Sequence, residues 1–109
     1  MWHRLIAAGG ACRYEPAAVA FHYHRRSAHD LSRQLFAYMR GHAAALLVQY
    51  ERSGQPADRR RAYWDLPVAY LKRVWRAARG ARRDEDRYLR EEIRGWCSGL
   101  WFYHRQPHA

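Results

Sequence analysis

The chain has 109 residues, of which 49% are hydrophobic and 15% aromatic, a composition that excludes a disordered protein and limits the chain to one small domain. Its 20 lysines and arginines outnumber the 10 acidic residues, so the net charge is +10, and Lys72 is the single lysine. Because arginine favours bidentate contacts with phosphate and carboxylate groups, the composition predicts an anionic partner.

Cysteine usage and hydropathy exclude further classes. Cys12 and Cys97 lie far apart in the sequence and predict neither a disulfide scaffold nor a zinc site. No apolar run approaches the roughly 18 residues of a membrane-spanning helix, and MWHRLIAAGG is too short for a secretion signal. The expected location is the cytoplasm, with a peripheral position at the inner membrane face as the alternative.

The first 26 residues predict the end of a helix and a strand pair. The segment MWHRLIAA is helical in pattern and stops at Gly9 and Gly10, which can adopt the left-handed conformation of a helix end. The runs ACRY and AAVAFHYH are typical of short strands, and Glu15 and Pro16 form the turn between them.

The second predicted strand has two different faces. Alternation places Val19, Phe21 and Tyr23 on one face, which we expect to pack on a core. His22 and His24 lie on the other face, above two alanines, and Arg25 and Arg26 follow at once. Such a histidine pair is more often exposed or hydrogen-bonded than ligating, so the spacing alone does not assign a metal site.

Residues 27–54 predict one long amphipathic helix. Ser27 and Asp30 have the spacing of a capping box, and the helix is expected to run to about Arg52. One stripe of side chains recurs at helical spacing and is predicted to face the core, with His42 packed inside it: Leu31, Leu35, Met39, His42, Leu46 and Tyr50.

Residues 55–109 predict a basic, aromatic helical extension. After the break at SGQP, a second helix is expected from about Arg60 to Arg79, with a kink near Pro67, and a third helix after Asp84, Glu85 and Asp86. The second helix carries an apolar stripe of Trp64, Val68, Leu71, Trp75 and Ala78. Beside it runs a basic stripe of Lys72, Arg76, Arg79 and Arg83, which in most proteins would be a solvated face.

The segment RLIAAGGACRYEPAAVAFHYHRR, followed by LSRQLFAYMRGHAAALL, resembles the C-terminal end of family 2 glycosyltransferases of the GT-A type. The residues that match the family's strand pattern are Tyr14, Pro16, Ala18 and His22. Those that match its following helix are Arg33, Gln34, Tyr38, Arg40 and Gly41. The resemblance covers about the first half of the chain, and it depends on the order and spacing of these elements together.

This resemblance implies a fold, a reaction and a site. The implied fold is mainly α with a short β-strand pair near the N-terminus: residues 1–26 end a GT-A α/β domain, and three helices follow. The implied reaction moves a sugar from a nucleotide diphosphate sugar to an acceptor. In the complete enzyme, His22 would lie near a divalent cation, Mn²⁺ or Mg²⁺, and the diphosphate. His24, Arg25 and Arg26 would assist there.

The same resemblance implies that this chain is a fragment. The family's nucleotide-binding half, with its Asp-x-Asp and catalytic-base motifs, has no counterpart here, so the chain alone is not expected to transfer sugar. Asp84, Glu85 and Asp86 are interpreted as helix-end charges and not as that motif.

Two other interpretations stay open. A basic nucleic-acid binder would explain the charge and the interleaved Trp and Tyr, but no recognised binding signature accompanies them, so nucleic acid is not the expected partner. A membrane-surface or subunit-docking module would place Trp64 and Trp75 in the interface. Its cations would then meet anionic headgroups: Lys72, Arg76, Arg79 and Arg83.

Overall fold

The computed structural model describes residues 2–21 and 27–106, with the side chains of residues 2 and 3 excepted, and every regular element in this part of the chain is helical. The α-helices are α1 (Trp2–Ala7), α2 (Ala28–Ser53), α3 (Pro56–Arg60), α4 (Leu66–Ala78) and α5 (Leu89–Arg105). A π-helical turn (Arg61–Asp65) joins α3 to α4, and a 3₁₀ turn (Asp84–Asp86) precedes α5.

The predicted strand pair is wrong for the residues that the structure describes, and with it the expected α/β end of a GT-A domain. Residues 10–21 contain no strand, and the backbone turns at Glu15, whose carbonyl accepts from the Ala18 N–H at 3.1 Å. Val19 and Phe21, expected on a core face, are 70% and 91% exposed. An isolated strand pair is only marginally stable without a surface to pack against. The described residues provide no such surface for this segment.

Local signals fix both ends of α2. The Ser27 hydroxyl accepts from the Asp30 N–H at 3.0 Å, which satisfies one of the free donors of the first turn. At the other end Gly54 has a φ of 67°, and its N–H donates to the Tyr50 carbonyl at 2.8 Å. The helix therefore begins and ends where the sequence predicts.

Helices α3 and α4 form one continuous helical segment, which we call the α3–α4 helix (residues 56–78), with an expanded turn before Pro67. A proline ring clashes with the carbonyl four residues earlier and removes one hydrogen bond of the ladder. Here the Leu66 N–H reaches back five residues to the Arg61 carbonyl, which widens the turn ahead of the proline. The predicted kink is thus accommodated as a π-helical turn.

The main tertiary contact is the close packing of α5 on α2 through Gly95 and Gly99. A Cβ atom on Gly95 would lie 2.4 Å from the Phe36 carbonyl oxygen, and one on Gly99 would lie 2.4 Å from the Arg40 carbonyl oxygen. Both glycines are buried, so no side chain separates the two backbones at these positions. This contact positions α5 along α2.

A small core lies where α2, the π-helical turn and α5 meet. Leu46, Leu47 and Ala62 are buried, and three partly buried side chains pack against them: Leu66, Leu100 and Tyr103. The Trp96 indole N–H donates to the Ala62 carbonyl at 2.9 Å, which satisfies a carbonyl released by the π-helical winding. The predicted packing of His42 is wrong, because this residue lies on an exposed part of α2.

Candidate functional site

The outward side of the α3–α4 helix carries three large exposed apolar side chains. Trp64 is 65% exposed, Leu71 69% and Trp75 57%. Leu71 and Trp75 are one turn apart and therefore neighbours on the helix surface. We call Trp64, Leu71 and Trp75 the apolar face.

The opposite side of the same helix explains why the apolar face points outward. Ala62 and Tyr70 are buried, and Leu66 packs against the core. Burial raises the pKa of the Tyr70 hydroxyl to about 12, so this group stays neutral inside. A helix that already buries one apolar side and still exposes two tryptophans on the other has more apolar surface than its own fold uses.

Three of the predicted basic residues are exposed, and two of them, Lys72 and Arg79, lie beside the apolar face. Lys72 follows Leu71, and the Arg79 guanidinium lies over the Trp75 ring at 3.5 Å from its centroid. Arg83 is exposed in the loop after α4, 3.7 Å from the Glu85 carboxylate. A guanidinium stacked on an indole keeps its edge donors free for an anion while its plane covers the ring.

Arg76 differs from its neighbours in the basic stripe because it is engaged inside the protein. Its guanidinium is 2.7 Å from Glu85 and 3.0 Å from Asp86. Its pKa is raised, first by the hydrogen bond to Asp86. Because Arg76 is paired with these two carboxylates, we do not expect it to contact an anionic partner.

Asp86 is the centre of a charge network that ties the loop before α5 to α4. Its side chain has no exposed surface and accepts from Arg73 at 2.9 Å, from Arg76 and from the Arg83 backbone N–H at 3.1 Å. Arg73 also forms a bidentate pair with Glu92, with contacts of 2.7 and 3.2 Å, and donates to the Glu85 carbonyl. The Arg73 hydrogen bond lowers the pKa of Asp86, whereas the Glu92 hydrogen bond raises that of Arg73.

The residues predicted to bind the diphosphate lie outside the part of the chain that the structure describes. His22, His24, Arg25 and Arg26 are not among the described residues. In the part of the chain that is described, no three His, Cys, Asp or Glu side chains are placed to hold a metal ion. The cation and nucleotide site therefore stays a prediction.

Sequence reasoning missed two sets of arginines. Arg73 lies outside the predicted basic stripe, and the Asp86 and Glu92 that bind it are 13 and 19 residues further along the chain. The other set lines a groove beside α5 and is described below. Its signal in the sequence is the repeated arginine between apolar residues in RRDEDRYLREEIR.

None of the helices formed by residues 2–21 and 27–106 is long and apolar enough to cross a membrane. No family model matches the chain, and no curated protein or solved structure is significantly similar to it.

Proposed function

We propose that this chain is a helical module that attaches peripherally to an anionic membrane surface through the apolar face of the α3–α4 helix. The observation that carries this proposal is the exposure of Trp64, Leu71 and Trp75 on one side of a folded helix, with Lys72 and Arg79 beside them. Interfacial helices insert such apolar side chains at the level of the headgroups, and flanking cations contact lipid phosphates.

The expected free energies of side-chain insertion and of cation–lipid contact predict reversible attachment to the membrane. Burying a leucine side chain contributes about 1.5–3 kcal/mol, and each cation near an anionic surface adds about 1 kcal/mol. Arg79 loses little freedom on binding, because its guanidinium is already stacked on the Trp75 ring. Binding should therefore require anionic lipid and weaken as salt is added.

The test is co-sedimentation with vesicles of phosphatidylcholine that contain phosphatidylglycerol, compared with phosphatidylcholine alone. The double variant Leu71→Ser, Trp75→Ser should weaken binding to the anionic vesicles by at least about tenfold, since it removes two inserted side chains. Neither side chain is buried, so the thermal midpoint should change little.

Trp101 provides a matched control. It is 58% exposed on α5, and the Arg105 guanidinium lies over its ring at 4.5 Å, so it reproduces the Trp75–Arg79 stack at a different place. Trp101→Ser should leave vesicle binding unchanged. Equal losses for Trp101→Ser and Trp75→Ser would contradict the proposed face, and equal binding to neutral vesicles would contradict the role of the cations.

A second proposal is that this module is the C-terminal part of a family 2 glycosyltransferase. The observation in its favour is the position of three of the five matched residues on α2. Gln34, Tyr38 and Gly41 share the side of α2 turned away from α5, where Tyr38 is 61% exposed and a Cβ on Gly41 would meet nothing within 4 Å. The Gln34 amide donates to the Tyr38 hydroxyl at 2.6 Å. The open space at Gly41 leaves room for another protein segment to approach the helix closely.

This second proposal predicts weak binding of a nucleotide diphosphate without turnover. Titration of UDP or GDP with Mg²⁺ into the chain, followed by NMR, should show saturable shifts that His22→Ala weakens by roughly tenfold, as expected for loss of a ligand contact. His29→Ala, an exposed histidine on α2, is the control and should have no effect. Equal affinities for His22→Ala and the parent would remove His22 from the site.

A further inference from the structure

A groove with an apolar floor and a rim of arginines lies between α4 and α5. It has a volume of about 360 Å³ and opens to solvent. Val74 and Ala77 of α4 and Leu89 and Ile93 of α5 form its floor. The volume is within the range of about 300–1,000 Å³ that is usual for small-molecule sites.

Four arginines line this groove: Arg82, Arg87, Arg90 and Arg94. All four are exposed, and none is within 4.0 Å of an acidic side chain in the described part of the chain. Arg90 and Arg94 are one turn apart on α5, where like charges destabilise a helix. Arg87 and Arg94 lie over the Tyr88 and Phe36 rings at 5.8 and 6.0 Å, but no carboxylate of the described residues neutralises any of the four cations.

Asp86 also lines the groove but does not oppose an anion there. Its carboxylate is fully buried and is compensated by Arg73 and Arg76 on the α4 side. The net charge around the opening is therefore set by the four arginines. An apolar floor beneath a cationic rim is complementary to a molecule with a hydrocarbon chain and an anionic head.

We infer that this groove binds a single lipid phosphate, with the start of its hydrocarbon chain on the floor and its phosphate between the arginines. Arg90 and Arg94 donate to the phosphate oxygens, and Ile93 between them contacts the chain. The groove adjoins the apolar face, since Val74 on its floor is three residues from Leu71 and therefore its neighbour on the surface of α4. This inference rests on the proposed function for the source of the ligand, because a membrane-attached module would meet such lipids there.

The test uses a soluble amphiphile, so that it does not depend on membrane attachment. Decyl phosphate, below its micelle concentration, is titrated into the chain and followed by NMR and calorimetry. We expect saturable binding with shifts at Val74 and Ile93. The double variant Arg90→Gln, Arg94→Gln should weaken it by at least about tenfold, because charge-assisted hydrogen bonds to the head are lost.

Two other probes test the contributions of the hydrocarbon chain and of the anionic head separately. Inorganic phosphate should bind far more weakly, since it lacks the chain, and decyltrimethylammonium should not bind, since its head is cationic. Equal binding of either probe would overturn the inference: the first would indicate an anion site only, and the second an apolar groove without selectivity. Unchanged decyl phosphate binding in the double variant would overturn it as well.

Crossed variants distinguish this inference from the proposed function. Leu71→Ser, Trp75→Ser should weaken vesicle binding by at least about tenfold but leave decyl phosphate binding intact, because neither side chain lines the groove. Loss of decyl phosphate binding in that variant, with the fold intact by circular dichroism, would place the ligand on the apolar face and contradict the groove. Vesicle binding without any decyl phosphate binding in the parent would support the proposed function alone.

Discussion

Replacing Gly95 by alanine is expected to destabilise the chain by about 2 kcal/mol, which lowers the thermal midpoint by roughly 10 °C. The added Cβ would lie 2.4 Å from the Phe36 carbonyl oxygen and 2.9 Å from the Met39 Cβ. The first neighbour is a backbone atom, so α2 and α5 have to separate to admit the methyl group. This cost exceeds the gain of about 1 kcal/mol that alanine brings to a helix interior.

Gly41 provides a matched control because it is also in the middle of a helix. A Cβ at Gly41 would meet nothing within 4 Å, so Gly41→Ala should stabilise the chain by about 0.5–1 kcal/mol through helix propensity alone. The two substitutions are thus expected to move the midpoint in opposite directions. A Gly95→Ala variant as stable as Gly41→Ala would show that α5 does not approach α2 this closely.

The helices were predictable from the sequence because their signals are local. Ser27 and Gly54 mark the ends of α2 within a few residues, and apolar spacing marks its length. The contact between α2 and α5 was not predictable in the same way. Gly95 and Gly99 carry no apolar signal, although the absence of their side chains allows the backbones of α2 and α5 to approach closely.

The predicted strand pair is wrong because a strand depends on neighbouring segments that its own sequence does not supply. The alternation in residues 17–21 is compatible with a strand, but pairing requires a neighbouring edge and a surface beneath it. Val19 and Phe21 have neither in the described residues and are exposed. Alternation alone therefore indicated that this segment is able to form a strand beside a sheet. It did not indicate whether such a sheet is present.

The candidate membrane-contact surface was partly predictable. Helical spacing placed Trp64, Leu71 and Trp75 on one side, and Lys72 and Arg79 beside them, as the structure has them. Spacing could not separate Arg76 from Arg79, because that difference depends on the path of the loop before α5. The loop brings Asp86 to Arg76 and leaves Arg79 on the Trp75 ring.

Replacing Asp86 by asparagine is expected to lower the thermal midpoint at pH 7 by roughly 10 °C, because it leaves two inward-facing guanidinium groups without their shared carboxylate. Arg73 and Arg76 both bind this side chain, and the Arg83 N–H donates to it. Asparagine keeps the shape but removes the charge and one acceptor. Glu85→Gln is the matched control, since the Glu85 side chain is 57% exposed and its pair with Arg76 should contribute little.

The pH dependence of this difference identifies the charge of Asp86 as its cause. The pKa of Asp86 is lowered in the folded chain by the Arg73 hydrogen bond, whereas the unfolded value is about 3.9. The stabilisation is therefore complete above the unfolded value and is lost as pH falls from there towards the lower, folded value. We expect the midpoints of the parent and Asp86→Asn to converge over that range, because the parent then carries a protonated carboxyl in the same place. A difference in midpoint that stays constant from pH 7 to pH 2 would mean that Asp86 acts through its shape and hydrogen bonds and not through its charge.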